Sequence, residues 1–294
     1  MRIGYPCINR RIGCTPNSTF RLANYSPQRL VETIRGNLEC LQRTLAFNAE
    51  HGVLFFRIGS SLVPFASHPV CDYDWADHFR SEFSRIGRFA GDHGMRLSMH
   101  PDQFVLINAL DPDIIARSAA ELVYHAQVLD LMELDRAARV QIHIGGAYGD
   151  RPAALDRFCE NYQRLSEPVR RRLAIENDER LFGLSDCLTV HRRTGVPIVF
   201  DRFHHECLNA GESVREALRL AAATWQAEDG PLMVDYSTQA AGQRAGRHSE
   251  HLDPEAFEAF LAEAVEVDPD VMLEIKDKEA SAIEAVAVLK ALEA

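Results

Sequence analysis

Apolar positions along the chain alternate between two textures. Short, continuous runs rich in branched side chains occupy residues 2–5, 53–58, 96–99, 140–144, 173–175, 197–200, 232–234 and 271–275. Strands covered on both faces, as in a parallel sheet, read this way. Between them apolar residues fall at helical spacing. Ser26-Pro27 is a cap followed by proline at the first helical position; Leu30, Ile34, Leu38, Leu41 and Leu45 then share one face, and Gly52 closes the segment. Asp74 opens a second helix, with Trp75, Phe79, Phe83 and Ile86 on one face and an end near Gly94. Asp111-Pro112 and Asp253-Pro254 repeat the cap-then-proline signal. This succession of strand–helix units, without a long polar linker, predicts an α/β chain folded as a single (β/α)8 TIM-barrel domain over residues 1–294. Its active site is expected at the C-terminal ends of the strands. An open doubly wound sheet is the competing architecture.

Composition narrows the function classes. The net charge of −11 argues against a protein that coats nucleic acid broadly, yet leaves room for a local basic or metal-charged cleft. No apolar run approaches the ~18 residues of a membrane helix. Met1 leads into Pro6 and Cys7 without an apolar signal segment, so a cytoplasmic location is expected. The seven cysteines are scattered and form no CxxC pair, so neither a zinc ribbon nor a disulfide framework is expected.

The residues that close the apolar runs carry the chemistry. The third run ends at His100, the fourth contains His143 and the fifth leads to Glu176. The sixth leads to Asp201, with His204 and His205 just beyond; the seventh leads to Asp235 and the eighth contains Glu274. His68 and His248 lie in the loops after the second and seventh runs. In a barrel all these ends share one mouth. So many carboxylates in one funnel need cations between them. Mixed imidazole and carboxylate suits Zn²⁺, Mn²⁺ or Fe²⁺ better than Ca²⁺, and the donor number suits two or three ions. Closely spaced metal ions are used to clamp the oxygens of a phosphodiester. His51, His78, His93, His125 and His191 fall within or at the ends of expected helices and read as surface or helix-terminal residues.

These residues sit in recognisable segments. Arg2-Ile3-Gly4-Tyr5-Pro6-Cys7-Ile8-Asn9, Phe56-Arg57-Ile58-Gly59-Ser60-Ser61 and Ser98-Met99-His100-Pro101-Asp102-Gln103-Phe104 resemble the UV damage endonuclease family. So do Ile142-His143-Ile144-Gly145-Gly146, Ile175-Glu176-Asn177-Asp178-Glu179, Phe200-Asp201-Arg202-Phe203-His204-His205 and Met272-Leu273-Glu274-Ile275-Lys276-Asp277-Lys278-Glu279. The resemblance, which covers essentially the whole chain, implies a TIM barrel related to the endonuclease IV group. It implies a metal-dependent enzyme that nicks damaged duplex DNA immediately 5′ to cyclobutane dimers, 6-4 photoproducts and some abasic sites, leaving a 3′-hydroxyl and a 5′-phosphate.

Manganese is the metal the resemblance implies. His100, His143, Glu176, Asp201, His204, His248 and Glu274 would be ligands, with Glu176 bridging and His68 beside the metals. Gln103 and Phe104 would probe the lesion from one side, Tyr5 and Asn9 from the other. One departure stands out. Where the family shows a Lys-x-His pair on the seventh strand, this chain has Met233 and Asp235. Asp235 would then replace a histidine ligand, while Met233 cannot replace the lysine. Lys276 is a candidate for neutralising phosphate charge at the mouth, and Arg10, Arg11, Arg21 and Arg244 for lining a DNA groove. Damaged double-stranded DNA is the expected partner; no membrane and no obligate protein partner are implied. The rival functions are a metal-dependent sugar isomerase or epimerase on the same barrel and a lesion-binding protein without catalysis.

Overall fold

The structure, a computed structural model, describes residues 1–293. Its strands are β1 (Ile3–Pro6), β2 (Phe55–Ile58), β3 (Arg96–Met99), β4 (Arg139–His143), β5 (Leu173–Glu176), β6 (Ile198–Asp201), β7 (Met233–Tyr236) and β8 (Asp270–Leu273). All neighbours pair in parallel, and β1 also pairs with β8, so the sheet closes into a barrel in sequence order. Helices on the outside bury their apolar stripes against the strands. The expected (β/α)8 architecture is therefore the observed one. No described helix is long and apolar enough to cross a membrane.

The cap signals act as their chemistry requires. The Ser26 hydroxyl accepts from the Arg29 N–H at the start of the helix Pro27–His51, and Gly52 ends it at φ 71°. Asp111 and Asp253 cap the helices Pro112–Leu131 and Pro254–Ala264 in the same manner. The helix expected from Asp74 to Gly94 is instead two, Trp75–His78 and Arg80–Asp92, because Phe79 departs from helical dihedrals (φ −107°, ψ 14°). The close approach of β1 to β2 requires a glycine at position 4, where a Cβ would lie 2.2 Å from the Phe55 carbonyl oxygen.

Two further expectations are corrected. Cys14 and Cys40 form a disulfide, tying the loop after β1 to the helix Pro27–His51. Cysteine spacing carries no trace of this, since the pairing arises from how the loop folds back on the helix. His125, read as a surface or helix-terminal residue, is fully buried.

Inside the barrel the side chains stack in layers. An apolar layer of Phe55, Ala174, Val199, Met233 and Met272 fills the interior. A polar layer lies on the C-terminal side of it. Arg57 in β2 reaches across to Asp235 in β7 (2.5 Å) and to Glu274 after β8 (2.5 Å). Gln141 in β4 accepts from Arg57 (2.9 Å) and donates to Asp235 (2.6 Å) and Glu176 (2.8 Å).

Candidate metal centre at the barrel mouth

Each donor at the mouth is placed by the strand that precedes it. Glu176 closes β5 and is buried, with His100 after β3 on one side and His143 at the end of β4 beside it. His100 Nε2 lies 3.2 Å and His143 Nε2 3.8 Å from Glu176 Oε2. Asp201 closes β6 and caps the short helix Arg202–Cys207, accepting from the His204 N–H at 2.6 Å. That cap turns the His204 ring back, so that Nδ1 lies 3.3 Å from Asp201 Oδ2 and 3.3 Å from Glu176 Oε1. Two donor groups result, His100–His143–Glu176 and Glu176–Asp201–His204, with donor atoms in each within 4.8 Å of one another. Glu176 belongs to both.

The hydrogen bonds behind these rings bear on which nitrogens can bind a cation. His100 Nδ1 is 2.8 Å from the Pro101 carbonyl, an acceptor, so this nitrogen carries the hydrogen. In the neutral ring Nε2 then presents a lone pair to a carboxylate oxygen, an arrangement that needs a proton or a metal ion between them. His204 differs: its Nδ1 lies 3.0 Å from the Asn177 carbonyl and also faces Asp201 and Glu176. His143 Nδ1 is buried without a hydrogen-bond partner. The donor set fits a divalent ion bound by nitrogen and oxygen.

Electrostatics agree. Burial opposes ionisation of Glu176, but His143, His100 and His204 outweigh it and hold the carboxyl well below its ordinary value. Burial disfavours the charged His204 ring, yet Asp201 and Glu176 raise it to about 11. Burial pushes Asp235 up to about 7; Arg57 opposes this, while Glu274 and Glu176 add to it.

Three expected ligands stand differently from the rest. Asp235 lies inside β7, not at its end, and both oxygens are engaged by Arg57 and Gln141. The seventh strand runs two residues further than its apolar run, which sets Asp235 in the polar layer, outside both donor groups. Met233, two residues before it, belongs to the apolar layer beneath. Glu274 and His248 do reach the mouth, 3.9 Å apart, but outside the two compact groups, and Arg57 holds one Glu274 oxygen.

The remaining site expectations divide. Tyr5 is 0% exposed and Asn9 2% exposed. Tyr5 donates to Asn48 (2.6 Å) and accepts from Asn9 (2.9 Å), while Asn9 Oδ1 accepts from the Arg11 and Ile12 N–H groups. The pair shapes the loop after β1 from within. Gln103 and Phe104 are exposed on the loop after β3, Phe104 by 74%. Gln103 lines the cavity of about 630 Å³ that contains His100, His143, His248 and Glu274. Phe104 and His68 line a neighbouring cavity of about 450 Å³. His68 is exposed and lies in neither donor group. Lys276 is paired with Glu250 on the rim. Arg244 lines the larger cavity; Arg10 and Arg11 sit on the loop held by Glu279, and Arg21 is exposed away from the cavity lining. Sequence reasoning missed Arg57 and Gln141, whose polarity inside apolar strands was the available signal, and Arg247, which also lines the cavity.

Comparisons with known proteins address the same residues as a whole. The family model described as UV-endonuclease UvdE matches residues 1–294. The UV DNA damage endonuclease of Clostridium perfringens is 35% identical over 99% of this chain and 71% of its own length. That of Bacillus cereus (strain ATCC 10987) is 30% identical over 99% of this chain and 95% of its own. The crystal structure of SacUVDE superposes with a TM-score of 0.95 at 41% identity, covering 100% of this chain and 99% of that one. D-psicose 3-epimerase from Clostridium cellulolyticum H10 matches at a TM-score of 0.55 and 14% identity over 85% of this chain and 91% of its own, a likeness of barrel fold alone. The layered barrel, the shared carboxylate at its mouth and the full-length match lead to one assignment: the chain belongs to the UV-endonuclease UvdE family.

Proposed function

We propose that this chain, acting as one domain, is a DNA-repair endonuclease that nicks damaged duplex DNA on the 5′ side of UV photoproducts, leaving a 3′-hydroxyl and a 5′-phosphate. The observation that carries the reading is Glu176, whose two oxygens face separate imidazole nitrogens in two donor groups (3.2 and 3.3 Å). One carboxylate common to two groups is the arrangement that holds a pair of divalent ions close together. His100, His143, Glu176, Asp201 and His204 would hold at least two ions, with His248 and Glu274 completing the mouth. Manganese is the proposed metal; zinc and iron(II) suit the same donors. Bound there, such ions supply electrophilic stabilisation of a phosphodiester and a more acidic water.

The chain's own residues do the rest. The Pro101 carbonyl holds His100 Nδ1, so that Nε2 faces inward. Gln141 and Arg57 lock the carboxylates from below. Gln103 offers an amide and Phe104 an exposed ring to the duplex, and a damaged, poorly stacked step is the one most easily entered by such groups. A sugar isomerase would need neither an exposed ring beside the cavity nor the rim arginines Arg244 and Arg247. The test is purified protein with Mn²⁺ and an end-labelled duplex carrying one thymine dimer. A single nick 5′ to the dimer, absent with chelator and absent on undamaged duplex, is expected. No nick, or turnover of ketose sugars instead, would refute the reading.

A further inference from the structure

The cations around the mouth fall into two kinds. Some have partners: Arg57 is held by Asp235 and Glu274, Lys276 by Glu250, and Arg11 lies 3.7 Å from Glu279. Arg244 and Arg247 have no carboxylate partner among the described residues but are exposed on the loop before His248. Lys278 is the exception. It lines the same cavity as His100, His143, His248 and Glu274, is half-buried, and its ammonium has neither ion pair nor hydrogen bond among the described residues. Its position is not incidental to a loose loop. The backbone is fixed at φ 59°, with its N–H donating to the Ile275 carbonyl (3.3 Å) and its carbonyl accepting from Ala282 (3.1 Å). The next residue, Glu279, is buried and accepts from the Arg10 N–H at 3.0 Å, so the loop after β1 closes against it.

A half-buried ammonium without an anion is unfavourable unless something brings one. The cost is visible in Lys278 itself: burial pulls its affinity for the proton below the ordinary lysine value, with Cys7 and Glu274 opposing. From its place in the cavity we infer that Lys278 is a phosphate-binding residue, its ammonium contacting a backbone phosphate of the DNA strand that enters the mouth. This rests on the nuclease reading above and names the group within it that takes the phosphate, in place of Lys276. Lysine suits this task as a compact charge that needs no particular phosphate orientation. The contact is with the backbone and carries no information about the lesion.

Lys278→Met keeps most of the apolar stem and removes the charge. Affinity should be measured on thymine-dimer and undamaged duplexes with metal present, across a salt series. Binding of both duplexes should weaken by a similar factor, about tenfold at low salt, as a charge-assisted hydrogen bond is lost. The slope of log K against log salt should fall in magnitude by about one. Lys278→Arg should restore most of the affinity and the slope, and manganese content should match wild type in both variants. An unchanged salt slope in a folded Lys278→Met protein would overturn the assignment, as would a loss confined to damaged duplex. If Lys278→Met does not fold, Lys278→Gln and Lys278→Arg carry the same comparison: charge must track the slope. If wild type itself binds no duplex, the nuclease reading fails and this inference with it; if wild type nicks the dimer duplex and the variant's slope is unchanged, only the inference fails.

Discussion

The two ends of the barrel handle buried charge in opposite ways. At the N-terminal end each buried carboxylate has its own guanidinium. Asp270 faces Arg2 at 2.9 Å and Arg96 at 3.1 Å, and Asp229 is paired with Arg139 and with Arg136 at 2.7 Å. Arg96 and Arg139 also lie over the Trp225 ring. At the C-terminal end Glu176, Asp201, Asp235 and Glu274 crowd together, and Arg57 is the one guanidinium paired with any of them among the described residues. The same fold thus carries a balanced end and a cation-deficient one. Balance at one end closes the barrel; deficit at the other leaves places for ions that the chain does not encode.

The largest expected effect breaks the deficient end. Glu176→Gln keeps the shape and removes the charge both donor groups use. Nicking of the dimer duplex should fall by several orders of magnitude, as for loss of a metal site, while thermal unfolding of the metal-free variant stays cooperative. Activity near wild type would remove Glu176 from the chemistry. The balanced end predicts the reverse pattern. Asp270→Asn leaves Arg96 buried without its carboxylate, a change that costs about 3–5 kcal/mol. Urea unfolding should show the loss, and manganese stoichiometry should not change.

His125 sharpens the contrast, because it is a buried imidazole with one carboxylate at its edge where His204 has both Asp201 and Glu176. Its Nδ1 lies 2.8 Å from the Glu121 carbonyl and 3.6 Å from the Glu121 carboxylate, and its Nε2 has no partner. Burial pushes it down to about 4, with the Glu121 carbonyl opposing and His100 adding to the shift. The unfolded chain takes up this proton near pH 6.5 and the folded chain only near pH 4. The stability it contributes is therefore complete above about 6.5 and lost as pH falls towards 4, by up to about 3 kcal/mol. The difference in unfolding free energy between wild type and His125→Gln should shift with that sign over this window. A pH-independent difference would refute the neutral, buried assignment.

The smallest effect separates recognition from chemistry. Gln103→Ala combined with Phe104→Ala should leave manganese content untouched and weaken dimer-duplex binding by about 5- to 150-fold, the worth of one stacking ring at ~1–3 kcal/mol. Undamaged duplex should be affected less. Equal losses on both duplexes would make the pair a support for its own loop.

The barrel was legible in the sequence because strands buried on both faces announce themselves as continuous branched runs, and helices by Ser26-Pro27, Asp111-Pro112 and Asp253-Pro254. Glu176, His100, His143, Asp201 and His204 were legible for the same reason: each stands where a strand stops. What stayed hidden shares a physical cause too. Position relative to the mouth changes within one or two residues, and the apolar run does not show that β7 continues past Asp235 to Tyr236. Tyr5 in β1 and Asn9 just after it are buried around a hydrogen bond to Asn48, forty-three residues from Tyr5, a contact the local sequence does not show. His125 sits on a helix whose buried face is broad, and a lone imidazole cannot reveal which side it takes. Cys14 and Cys40 meet only through tertiary folding. Lys276 and Lys278 differ by two positions, and only the fold shows that Glu250 engages the first.

Manganese titration into the metal-free protein by calorimetry tests the cation deficit most directly, with wild type, Asp270→Asn and Glu176→Gln side by side. Wild type and Asp270→Asn should bind at least two ions with matching affinity, and Glu176→Gln should lose at least one of them. Equal stoichiometry and affinity in all three proteins would contradict the account, since the carboxylate shared by both donor groups would then hold no metal.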